Sequence, residues 1–305
     1  MSKNKAPILV AVGDSDSHDA ALRFAADEAV RDRRPLRLVH VVHPPREGMF
    51  PEQMLISFTA VELAANQLLR NQVDQAVRLT GGVVPVTQAL RRGGVVDHLV
   101  ELSGSAHHIV LQHRQQARLL RVFTGSTAAG VAAHAHLPVV SVPELWSGPS
   151  NHDVVVGLDR DHDTALLQHA FAEAFARDAR LTVLHAWYLP PLYDDALVDH
   201  TDLHHWREGV RTRIEAALLP FRARYPDVDV HVELEHMRPA DALVERSGRS
   251  DLLVLGRTWA TPAVSHLGSV TRAVLREARC PVAVVDAVEP EVPRPSDARE
   301  TVSAP

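Results

Sequence analysis

Residues 125–142, GSTAAGVAAHAHLPVVSV, have a counterpart in GSVTRAVLREARCPVAVV at 268–285. Both copies start on Gly-Ser, run through a helix-like stretch and end in a proline followed by an apolar run. The Gly-to-Pro spacing is the same in each, Gly125 to Pro138 and Gly268 to Pro281. Upstream, ILVAVGD at 8–14 pairs with VVVGLD at 154–159, and LRLVHVV at 36–42 with LTVLHAW at 181–187. HHIVLQ at 107–112 pairs in the same way with DLLVLG at 251–256. Four matched segments keep their order at an offset of about 145 residues, so the chain is an internal duplication.

Each copy alternates short Val/Ile/Leu runs with longer amphipathic stretches, the pattern of buried parallel strands joined by crossover helices on both sheet faces. The fold class expected is α/β: two tandem, doubly wound, five-stranded parallel sheets. In the first copy strands are expected near 8–13, 36–42, 83–89, 107–112 and 138–142, with helices near 18–33, 58–80, 95–104 and 125–136. In the second, strands are expected near 153–158, 181–187, 228–234, 251–256 and 281–285, with helices near 163–178, 200–224, 239–248 and 269–279. ELWSGPSNH at 144–152 reads as a short linker, which places the first domain at 1–146 and the second at 147–288. The remainder, 289–305, is rich in Pro and charge without apolar periodicity and is expected to be a disordered tail.

The 305 residues exceed what one hydrophobic core usually spans, which agrees with two domains. Hydrophobic residues make up 46% and charged residues 23%, so the chain should fold as an ordinary globular protein. A formal charge of −6 provides no positive field for a nucleic-acid backbone or an anionic membrane. No stretch approaches the roughly 20 apolar residues of a membrane span. The N-terminus shows no export signal and the single cysteine, Cys280, rules out an internal disulfide, so a cytoplasmic location is expected.

Ligands of open parallel sheets sit beyond the carboxyl ends of the strands, which directs attention to the loops after strands one and four of each copy. After strand four of the second copy, Gly256 leads into RTWATPAVSHL and then Gly268-Ser269, where a helix begins. Backbone N–H groups at a helix start favour phosphate. Ser269 is expected as the N-cap, and Gly268 would let an anion approach the backbone closely. A Ser N-cap preceded by Gly also begins many helices that bind nothing, and Asp159 could equally cap the helix that follows it.

These residues resemble the universal stress proteins of the ATP-binding type, which carry G-x2-G-x9-G-[S/T] after strand four and an Asp at the end of strand one. The resemblance covers both repeats and implies a Rossmann-like strand order of 3-2-1-4-5. By resemblance, Asp159 would contact adenine or ribose and the backbone near Ala186 would meet the adenine edge. Gly256, Gly268, Ser269 and the adjacent Val270 would line the phosphate path, with ATP and Mg2+ as the implied ligand. The second copy departs from the pattern: Trp259 replaces the middle Gly, the loop is one residue shorter, and Arg160-Asp161 follow Asp159 where Gly-Ser is expected. Trp259 would either stack on a ligand or, more commonly for a lone loop tryptophan, cover apolar surface. In the first copy Gln112 and Gln115 occupy the leading Gly positions and Asp14 comes one residue late, leaving Gly125 and Ser126 as a weaker candidate site. Arg114, Arg118 and Arg121 stand nearby as anion partners.

Paired histidines at 107–108, 204–205 and 134/136 lack the spacing of a closed metal site. Cys280, just before Pro281, reads as a core residue. No P-loop, GxSxG elbow or acid–base pair is present. The function expected by resemblance is a nonenzymatic stress-response and signalling protein that binds an adenine nucleotide in its second domain. Two alternatives stay open: an interaction scaffold with both sites lost, and a weak ATPase or self-phosphorylating protein with Ser269 as acceptor. In the family the last strand of each domain commonly pairs with its counterpart across a dimer. Here SVPE and AVVD would pair within the chain, with homodimerisation also expected.

Overall fold

The computed structural model describes residues 5–13, 19–42, 51–113, 127–159, 163–188, 200–261 and 264–286; side chains at 19, 51–58, 200–204 and 258–266 are outside the description. In the first repeat the strands are β1 (Ile8–Val12), β2 (Leu36–Val42), β3 (Val86–Arg92), β4 (His108–His113) and β5 (Val139–Pro143). They are connected by helices α1 (Asp19–Asp32), α2 (Pro51–Leu79), α3 (Val95–Ser103) and α4 (Thr127–His134). The second repeat has strands β6 (Asp153–Gly157), β7 (Arg180–Trp187), β8 (Val230–His236), β9 (Leu252–Thr261), β10 (Val264–His266) and β11 (Val282–Asp286). Its helices are α5 (Thr164–Ala176), α6 (His200–Arg224), α7 (Pro239–Arg246) and α8 (Ser269–Glu277).

Both repeats have the strand order 3-2-1-4-5, all parallel, as expected. The two sheets are joined through the last strands, the pairing of SVPE with AVVD expected within the chain. The last strands pair antiparallel, with Val282 opposite Ser141 and Val284 opposite Val139, giving one continuous sheet ordered β3-β2-β1-β4-β5-β11-β9-β6-β7-β8. Antiparallel pairing of equivalent strands is what a local two-fold relation produces, and it satisfies two edges that would otherwise expose unpaired backbone groups.

Alternate residues of each strand face opposite layers of helices, because side chains on a strand point up and down in turn. Ile8, Val10 and Val12 join one core with Phe24, Phe171 and Leu218, whereas Leu9 joins the other with Leu99, Val274 and Cys280. Each core runs through both repeats. Phe171 stacks with Phe221 at 5.3 Å between ring centroids and with Tyr225 at 5.8 Å.

Three boundaries differ from expectation for identifiable reasons. Strand β3 starts at Val86 rather than near 83, because Gly81 and Gly82 take positive φ (58° and 70°) and turn the chain out of α2 first. Helix α2 begins at Pro51, a residue suited to a first helical turn, not near 58. The segment expected to be a loop after strand four is in part a hairpin: β9 continues to Thr261 and pairs antiparallel with β10.

Cys280 is 2% exposed and belongs to the core, as expected. Burial pushes its thiol up to about 12, so almost no thiolate forms at neutral pH. A thiol reagent such as DTNB is accordingly expected to label Cys280 only under unfolding conditions; stoichiometric labelling of the native protein within minutes would contradict this placement. The expected tail, 289–305, lies outside the described residues.

Candidate functional site

In the second repeat the chain leaves β6 over one face of the sheet, while the β9 connection crosses the other. The gap between these strand ends is the topological switch point of the sheet. A cavity of about 260 Å3 opens there. Its lining includes Gly157, Leu158 and Asp159 from the end of β6, Leu184 and Ala186 from β7, and Leu255 and Gly256 from β9. Pro239 and Leu243 of α7 and the start of α8 close the remaining side.

Six of the residues expected from the sequence, Asp159, Ala186, Gly256, Gly268, Ser269 and Val270, line this one cavity. Asp159 is exposed and lies two residues beyond the end of β6, not on it, and the helix after it is capped at Asp163. Ser269 is the first helical residue and Gly268 is the cap, one position earlier than expected. Trp259 belongs to β9, where its backbone pairs with Ser265 of β10; its side chain lies outside the described residues. Gly125 and Ser126, with Arg114, Gln115, Arg118 and Arg121, lie outside them as well.

The two glycines at this site have different causes. A Cβ on Gly157 would stand 2.7 Å from Leu255 Cδ2 and 3.0 Å from Leu243 Cδ2, so a side chain there would force these leucines to shift. Gly268 has φ −58° and nothing within 4 Å of a Cβ built on it. Among the described residues, neither its backbone conformation nor its neighbours require glycine. Gly268 lines the cavity at the start of α8, where the first N–H groups of the helix and its dipole attract an anion.

The loop after β6 is held from behind. Leu158 N–H donates to the Leu184 carbonyl at 3.0 Å, and His185 Nδ1 lies 2.8 Å from the Leu158 carbonyl. A carbonyl can only accept, so this nitrogen carries the ring proton. His40 makes the same contact to the Val12 carbonyl at 2.8 Å in the first repeat. Neither histidine was singled out by sequence reasoning, although the matched LVH and VLH of the second strands carried the signal. Thr271 Oγ1 donates to the Gly256 carbonyl at 3.4 Å, tying α8 to β9.

In the first repeat Gln112 occupies the position of Gly256, and its side-chain oxygen accepts from the Ala21 N–H at 3.4 Å, near the start of α1. Among the described residues there is no group of three or more His, Cys, Asp or Glu side chains arranged to hold a metal ion, and no helix long and apolar enough to cross a membrane.

Fold and cavity define a duplicated, doubly wound α/β protein with an open switch-point pocket in its second half. A family model described as the universal stress protein family matches residues 6–143 and again residues 150–286. A universal stress protein of Mycolicibacterium smegmatis is 31% identical over 298 residues, covering 91% of this chain and 96% of the relative. One from Mycobacterium tuberculosis is 30% identical over 301 residues, with 91% and 94% covered. The crystal structure of a universal stress protein from Archaeoglobus fulgidus superposes with a TM-score of 0.64 at 17% identity, covering 92% of this chain and 98% of that one. The chain belongs to the universal stress protein family, with two family domains in tandem.

Proposed function

We propose that this protein is a nonenzymatic, cytoplasmic stress-response and signalling protein that binds an adenine nucleotide, ATP with Mg2+, in its second domain. The observation that carries the reading is the convergence of Asp159, Ala186, Gly256, Gly268, Ser269 and Val270 on one cavity at the start of α8. Gly268 strengthens it, because neither its φ nor any described neighbour calls for glycine there. The cavity is just below the usual size range of about 300–1,000 Å3 for small-molecule sites. That size suits a base and sugar held between β7 and α7, with phosphates running outward past Gly268 and Ser269. Asp159 would accept from ribose or the adenine amino group. Mg2+ would be carried mainly by the phosphates, as is usual for nucleotide-bound magnesium, with Asp159 and Asp163 as the nearby carboxylates. Binding would modulate a partner through the paired domains, and two chains would associate as a homodimer, which sedimentation equilibrium would decide.

A second reading, a scaffold with both sites lost, is favoured by the first repeat, where the Gln112 side chain is engaged at the start of α1 in place of a leading glycine. Calorimetric titration with Mg-ATP separates the two. About one site per chain is expected, weakened at least tenfold, about 1.4 kcal/mol, by Gly268→Tyr, whose Cβ would meet no described atom within 4 Å. No heat and no thermal shift with ATP, ADP or AMP would leave the scaffold. Appearance of ADP during the titration would reveal the weak ATPase.

A further inference from the structure

The face of the molecule carrying α1 and α5 holds a polar cluster where the repeats meet. Glu28 and Glu173 are both the tenth residue of their helices, α1 and α5, and so occupy the same position in the two repeats. Arg177, just beyond α5, bonds both: Nη2 to Glu28 Oε1 and Nη1 to Glu173 Oε2 at 2.5 Å. Arg31 mirrors it from the first repeat, 3.2 Å from Glu28 and 3.9 Å from Glu173. His108 Nε2 lies 3.0 Å from Glu28 Oε2, and His169 Nε2 lies 3.7 Å from Glu173 Oε1. Glu28, His107, His108, His169, Glu173 and Arg177 surround a water-sized void of about 10 Å3 bounded by Leu252 and Ala283 of the second repeat and Pro138 and Val140 of the first.

We propose that this cluster is an acid-sensitive clasp: proton uptake by His107 and His169 in mild acid loosens the junction between the repeats while each repeat stays folded. The clasp is independent of nucleotide binding. His107 Nδ1 and His108 Nδ1 are 3.1 Å apart, a distance at which one proton can be shared but two N–H groups cannot face each other. The closed junction therefore has no place for a charge on both rings. His107 faces His108, Arg34, Asp32 and Glu28; burial first, then the charges of His108 and Arg34, push it down to about 4. His169 faces Glu173, His108, Glu28 and Arg177, and burial dominates in lowering it. Burial alone would raise Glu28, but Arg177, His108 and Arg31 overcome it and hold the carboxyl well below the usual range, so Glu28 stays ionised throughout.

A histidine with a lower pKa in the closed junction than in water stabilises the closed form fully above its free value of about 6.5. That contribution is lost as pH falls from there toward about 4, the His107 value. The other face of β4 carries His113, also pushed down to about 4 by burial and bonded through Nδ1 to Ser141 of β5 at 3.1 Å. Substitutions confined to the clasp separate the two contributions.

Hydrogen exchange of the full chain at pH 7.5 and 5.0, corrected for intrinsic rates and resolved by peptide, tests the clasp. Protection of β5 and β11 is expected to fall at least tenfold at pH 5.0, with β1, β2, β6 and β7 changing less than threefold. In the double variant His107→Gln/His169→Phe the seam-specific fall should vanish; position 169 matches Phe24, the sixth residue of α1 as His169 is of α5. Seam strands that keep their protection at pH 5.0 would overturn the proposal, as would simultaneous loss in every segment or an undiminished fall in the variant. If circular dichroism shows the double variant unfolded, His107→Gln alone is read by the same criteria and should at least halve the logarithm of the fall.

Discussion

Asp153→Ala is expected to cost about 3–5 kcal/mol of folding stability, the range for removing one partner of a buried charged pair. Asp153 opens β6 with its carboxylate completely buried. It lies 3.1 Å from Arg246 Nη2 and accepts from Arg180 Nε at 3.2 Å, Thr182 Oγ1 at 2.9 Å and Ser250 Oγ at 3.3 Å. Truncation removes the acceptor of the buried Thr182 hydroxyl and one carboxylate partner of the nearly buried Arg246 guanidinium, and each group left short of a partner keeps part of its desolvation cost; Ser250 Oγ retains the Arg246 carbonyl at 2.8 Å. Arg246 retains Glu233 at 3.1 Å, which keeps the loss from going higher. The network sits at the amino ends of the strands, opposite the cavity, so nucleotide affinity should be unchanged in any variant that folds. Urea unfolding measures the effect; a loss below about 1 kcal/mol would mean that water replaces the carboxylate and the network is not the constraint it appears from its geometry.

Arg257→Ala is expected to cost about 3 kcal/mol, near the lower end of the same range. Arg257 follows Gly256 on β9 and is completely buried, an unusual position for its side chain. Its Nε donates to Asp286 Oδ1 at 2.7 Å, and its Nη1 donates to the Ala132 carbonyl at 2.8 Å, reaching from the second repeat into α4 of the first. Asp286 is 32% exposed and can regain water, which limits the loss. The Ala132 carbonyl has no such recourse. Arg257→Met restores the packing of the stem without the bonds and should recover part of the stability, isolating the polar contribution from the cavity. Thermal and urea unfolding within 0.5 kcal/mol of the parent, on the scale of an ordinary surface substitution, would contradict the role given to this side chain.

The duplication and the parallel layering were legible because they rest on short-range signals: apolar runs of strand length, amphipathic spacing and a repeated Gly-to-Pro interval. The cavity was legible for the same reason, since Gly256 and Gly268-Ser269 are close in sequence and the strand ends follow from the topology. Asp153, Arg246 and Ser250 were not, because separately each reads as an ordinary surface polar residue. The clasp was still less accessible. Glu28, His108 and Arg177 come from three distant segments: the packing of α1 on β4 joins the first two, and the pairing of β5 with β11 adds Arg177 from the other repeat. One trace was present in the sequence, the recurrence of glutamate at 28 and 173 at the repeat offset. The extension of β9 escaped notice because WATPAVSH, with its proline, reads as a loop when its partner strand lies within the same stretch.

The antiparallel junction of β5 with β11 also settles a question of assortment. Made as separate chains, the two halves could combine in three ways, and the mixture would drift with the relative abundance of each. Joined by a short linker, every first half is matched to one second half at a fixed ratio, whatever the expression level. Under that arrangement the halves are free to differ, as Gln112 and Gly256 do at equivalent positions, without producing assemblies that contain two copies of the same half at the junction.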